Sequence, residues 1–109
     1  MGLLSIFRHP DQDKFDQIGL RLAMVQMNTG NEHDDGSIIG AANAGLAGRN
    51  LIVDQLVEWR KQGMSPGEYA YIVKAYRRSL VSLGIPSGLS KAMVVDLHQC
   101  VVDTLGVSF

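Results

Sequence analysis

Cysteine is almost missing from this chain: Cys100 stands alone among 109 residues, which excludes an internal disulfide framework. A four-ligand zinc site would therefore have to draw mostly on three scattered histidines. A surplus of either charge is lacking too. Ten Lys plus Arg face eleven Asp plus Glu, a formal net charge of -1, so there is no broad positive field of the kind that nonspecific nucleic-acid binding requires. Only a local basic patch remains compatible with that balance. No persuasive strand pattern, internal repeat or low-complexity tract is present. The apolar opening from Met1 to Phe7 has no basic flank before it and meets Arg8, His9 and Pro10 before any small-residue cleavage site, so it does not read as a secretory signal. A myristoylation motif fails as well, because Ile6 stands where Ser or Thr is needed. The expected location is cytoplasmic.

What the chain does have is apolar residues, 46% against 19% charged, in a length that buries roughly two thirds of the unfolded surface on folding. That predicts one helical domain over 1–109, with residues 1–10 as an apolar arm. Hydrophobic spacing and breakers divide it into four helices. Asp11 or Asp13 caps a first helix running to about Asn28, followed by a polar loop to Gly36. A second helix spans about Ser37 to Gln62, roughly 40 Å at 1.5 Å per residue, and stops at Gly63. Ser65-Pro66-Gly67-Glu68 is the clearest local signal: a capping box with proline in the first helical position. The third helix runs to Leu83 and ends at Gly84; Ser87 or Ser90 caps a fourth, which closes at Gly106. The expected architecture is an all-α compact bundle of about four helices, with the long second helix central and helices three and four forming an antiparallel hairpin.

Stepping residues by 100° shows what each helix presents. In helix three, Tyr69, Ile72, Val73, Tyr76, Leu80 and Leu83 form the core stripe. In helix four, Leu89, Met93, Val94, Leu97, Cys100, Val101 and Leu105 do the same, opposite Asp96, Gln99 and Asp103. Helix one is different. Phe15, Ile18, Leu22 and Val25 make one apolar face, but Leu20, Met24 and Met27 make a second. A small bundle needs one such face. The second must be covered by the amino-terminal arm, by another helix of the chain, or by another chain.

Candidate chemistries are weak beside their structural explanations. Gly40 to Gly45 has the first spacing of a phosphate-binding loop, but Leu46 and Ala47 replace the Lys and Ser or Thr that would reach phosphate and magnesium. The recurrence of Gly36, Gly40, Ala44 and Gly48 every four residues suits close helix packing instead, since each interior glycine otherwise costs about 1 kcal/mol relative to alanine. Glu32-His33-Asp34-Asp35 gathers metal-capable groups, yet aligning Gly36 with the glycine of a calcium loop puts His33 and Ala42 where oxygen ligands belong. His98 and Cys100, two residues apart on a helix, project away from each other and do not form a nucleophile-base pair. No cofactor and no metal site is expected.

Two surfaces remain. Leu20, Met24 and Met27 of helix one, with Val95, His98 and Val102 on the secondary face of helix four, predict a non-enzymatic protein-protein interaction module that pairs as a homodimer. The arm residues Leu3, Leu4, Ile6 and Phe7 either cover that surface or extend it. The alternative is a small regulator that docks an acidic protein surface or a nucleic-acid backbone through Tyr71, Lys74, Arg77 and Arg78 of helix three. The acidic stripe of helix four is a further candidate to meet that basic face, within the fold or across a dimer.

Overall fold

A computed structural model describes residues 12–33 and 38–106, with side chains over 13–29 and 45–106. Among them are four helices and no strand: α1 (Gln12–His33), α2 (Ile38–Lys61), α3 (Pro66–Ser82) and α4 (Ser87–Leu105). The arm residues Leu3, Leu4, Ile6 and Phe7 lie outside the described residues. The all-α bundle expected from the periodicity is what forms. α1 packs most extensively on α3 and next on α2, while α4 joins α2 and α3. The helices thus close a ring in which the consecutive α2 and α3 sit across from each other.

The capping signals explain the sharp boundaries. At the start of α3 the Glu68 amide donates to Ser65 Oγ, and the Ser65 amide donates to Glu68 Oε1, both at 3.1 Å. α2 and α3 end by one shared device. Gly63 and Gly84 adopt φ of 107° and 105°, and the next amides, Met64 and Ile85, reach back to Trp59 O and Leu80 O. These are Schellman closures, completed by Met64 and Ile85 packing against the core.

Several boundaries and faces differ from expectation. α1 continues through Thr29 and Gly30 to His33, because Thr29 is buried and a single glycine weakens a helix without ending one. The second helix is not the centre. At 24 residues it barely exceeds α1 at 22, and α1 makes the two most extensive interfaces. α4 begins after Pro86 with no side-chain cap; Ser90 Oγ instead donates to Ser87 O at 2.8 Å from inside the first turn. Leu83, Leu89 and Val25, assigned to core stripes above, are exposed, since the first two sit at helix ends and the third is turned outward by the actual orientation of α1.

That orientation is set by small residues. The buried face of α1 is Phe15, Gly19, Leu22, Ala23, Gln26 and Thr29. A Cβ placed on Gly19 would lie 2.5 Å from Ala75 Cβ and 2.6 Å from the Tyr76 amide nitrogen, so α1 and α3 touch backbone to backbone. About one turn before Gly19 on α1, Phe15 stacks on Tyr71 at 6.0 Å and Asp16 pairs with Arg78 at 2.7 Å. A second close approach occurs at Gly48, where a Cβ would fall 2.6 Å from Gln26 Nε2. The packing explanation of the glycine ridge therefore holds at Gly48. Gly36, Gly40 and Ala44 lie outside the described side chains.

The contrast between helix glycines gives a test. Gly19→Ala is expected to destabilise by about 1–3 kcal/mol through overpacking against backbone, outweighing the roughly 1 kcal/mol of helix propensity gained. Gly45, whose Cβ would meet nothing within 4 Å, is expected to respond oppositely, Gly45→Ala stabilising by about 0.5–1 kcal/mol. Urea unfolding midpoints measure both; a Gly19→Ala protein as stable as its parent contradicts the backbone contact.

Candidate functional site

The second apolar face of α1 is real and faces outward. Leu20 is 41% exposed and Met24 48%, with Met27 half-buried one turn further on. They stand at i, i+4 and i+7, away from the stripe that carries Gly19 and Ala23. None of the described helices covers Leu20 or Met24.

The α4 candidates are brought to a different place. Val95, 63% exposed, and His98, half-buried, border a cleft between α3 and α4 together with Tyr69, Val73, Lys74 and Val94. Val102 lies further along α4 and is half-buried. His98 Nδ1 and the Tyr69 hydroxyl are hydrogen-bonded at 2.9 Å, with ring centroids 5.6 Å apart. The start of α3 thereby meets the latter half of α4. At the other end Arg77 donates to Ser87 Oγ at 3.4 Å, which confirms the antiparallel register expected for this pair. Burial pushes the Tyr69 phenol up to about 12, with the Arg60 guanidinium pulling weakly the other way. Tyr69 is therefore uncharged at neutral pH. Its partnership with a residue 29 positions away left no trace in local spacing.

The basic face of α3 does not assemble into one patch. Tyr71 stacks on Phe15 and Arg78 pairs with Asp16, both toward α1. Arg77 turns toward Ser87 of α4, and Lys74 stands on the rim of the α3–α4 cleft. The acidic stripe of α4 does not meet this face within the fold. Asp96 instead pairs with Arg49 of α2 at 3.3 Å, and Gln99 donates to Asp103 at 2.8 Å on its own helix. Arg49 is a contact that helical-wheel reasoning on α3 and α4 had no means to find.

Cys100 is a free, half-buried thiol packed beside the core. Among the described residues no three His, Cys, Asp or Glu gather as a metal site, and the side chains of Glu32, His33, Asp34 and Asp35 lie outside them. No described helix is long and apolar enough to cross a membrane. Among the described residues, fold and surface define an all-α bundle with an apolar α1 face that no described helix covers. No family model, curated protein or solved structure matches the chain.

The buried phenols set an alkaline limit. Burial raises Tyr76 as well as Tyr69 to about 12 from an ordinary value of 10.0. Both groups are protonated in folded and unfolded chains below pH 10; between pH 10 and 12 only the unfolded chain readily ionises, so stability falls as pH rises. For Tyr76 that loss amounts to about 2 kcal/mol across the window. Urea midpoints from pH 8 to 12 should decline above pH 10, less steeply in Tyr76→Phe, whereas a flat profile shows that the phenols are not protected.

Proposed function

We propose that this protein is a non-enzymatic helical interaction module whose partner is a second copy of itself, joined through the outward face of α1. The observation that carries the reading is the exposure of Leu20 and Met24 on adjacent turns of the helix that otherwise organises the core. Each such side chain, fully buried, contributes about 1.5–3 kcal/mol by leaving water, so an apolar row of this kind favours association. Methionine suits such a surface because its unbranched, polarisable side chain adapts to the facing contour. Val95, the most exposed large apolar residue of α4, belongs with His98 to the separate α3–α4 cleft, and with Val102 it forms a second contact surface in this reading, apart from the α1 face.

The divided basic face argues for the apolar surface over electrostatic docking. Arg78 is already paired and Tyr71 already stacked, and engagement of an acidic partner would have to compete with both contacts. Light scattering after size exclusion tests the proposal. The parent chain is expected to run as a dimer that persists in high salt, since apolar burial is not screened. Leu20→Glu and Met24→Glu are expected to weaken dimerisation by about tenfold or more each while leaving helicity unchanged. A monomeric mass for the parent protein at every concentration overturns the reading.

A further inference from the structure

A second feature has nothing to do with the α1 face. Where all four helices converge lies a cleft of about 290 Å³. Each helix supplies part of its wall: Gln26 from α1, Gly45 and Leu46 from α2, Tyr76 from α3, Met93 and Leu97 from α4. Arg49 and Asp96, paired at 3.3 Å, border it as well. The walls are chiefly apolar, and the space exceeds the ~150 Å³ that an apolar cavity needs to take up benzene.

Two of the polar residues on the wall are almost wholly buried. Tyr76 is 2% exposed and Gln26 7%. Gln26 is held in place, packed over Gly48 and donating Nε2 to Gly45 O at 3.3 Å. Tyr76 is not so occupied: among the described residues its hydroxyl has no hydrogen-bond partner, and it keeps some accessible surface at the cleft wall instead of being sealed in. With its ionisation pushed up to about 12 by burial, that hydroxyl keeps its proton and is a donor at neutral pH. Gly45 lies on the exposed side of the wall, with no described protein atom within 4 Å of the place a Cβ would take.

We propose that this cleft is a binding site for a small uncharged molecule, a single aromatic or equally compact apolar ring carrying one hydrogen-bond acceptor, which the Tyr76 hydroxyl receives. Shape and charge both argue for that class. The Arg49–Asp96 pair cancels its own charge at the border, so a carboxylate entering the apolar interior would lose hydration without gaining an unopposed cation. Met93 lends the wall adaptability, as thioether side chains do at accommodating sites.

Acetophenone, ethylbenzene and benzoate separate the contributions when titrated into the full chain with carbon-labelled methyl groups on Leu46, Met93 and Leu97. Acetophenone is expected to shift these signals saturably with a Kd of about 1 mM or tighter. Tyr76→Phe should weaken acetophenone about two- to tenfold and leave ethylbenzene unchanged. Benzoate should bind at least about tenfold more weakly than acetophenone, following the desolvation of its charge. Gly45→Leu, which places a side chain where the parent has open space, should fold normally and lose saturable binding. Any one of three results overturns the site: no saturable shift of the cleft methyls by acetophenone, equal acetophenone affinity in Tyr76→Phe, or binding that survives Gly45→Leu.

Discussion

The backbone contact between α1 and α3 at Gly19 and Ala75 governs the arrangement of everything else. Two helices approach this closely only where one of them has no side chain at the crossing, and α1 has none at Gly19. Once the crossing is made there, the rotation of α1 about its axis is determined: Leu22, Ala23, Gln26 and Thr29 turn inward with it, and Leu20 and Met24 must turn out. The exposed apolar row is thus a geometrical consequence of where the glycine lies. The nearby Phe15–Tyr71 stack and Asp16–Arg78 pair locate the contact along the helices, though the exposed ion pair contributes only about 0–1 kcal/mol.

From that crossing the remaining helices follow a ring. α2 lies along α1 with Gly48 under the Gln26 side chain, and α4 is tied to α2 by Arg49–Asp96 and to α3 by Tyr69–His98. Because Gln26 is clamped between α1 and α2, and Tyr76 follows Ala75 directly, both polar groups are drawn to the same inner cleft by the close approaches that shape the bundle. The site proposed there and the outward face of α1 are separate features on opposite consequences of one packing event: one faces the space that small residues left open, the other the surface they displaced.

Local chemistry was legible wherever a signal acts within a few residues. The Ser65 capping box, proline at the start of α3 and the glycines after α2 and α3 are such cases, since their hydrogen bonds close within a single turn. The core stripes of α3 and α4 were legible in their middles, at Ile72, Tyr76, Leu97 and Val101, and wrong at the ends, at Leu83 and Leu89, where no neighbouring helix reaches far enough to cover them. In α1 the apolar count suggested two faces and placed Phe15, Ile18 and Leu22 correctly toward the core, but it misassigned Val25, because hydropathy gives weight to Val25 and none to Gly19. Burial there is awarded for smallness, and a polar Gln26 is taken inside because its amide finds the Gly45 carbonyl.

The amino-acid order alone therefore determined that four helices form, where three of the turns between and after them close, and that α1 carries more apolar surface than one interface uses. These are properties of short-range hydrogen bonding and of 3.6-residue periodicity, both written along the chain. Only the tertiary structure decided which face of α1 is buried, that Tyr69 meets His98 and Arg49 meets Asp96, and that Tyr76 and Gln26 converge on one cleft. Such pairings join residues tens of positions apart, and they are selected by how closely helix backbones can approach, a quantity no single helix possesses by itself.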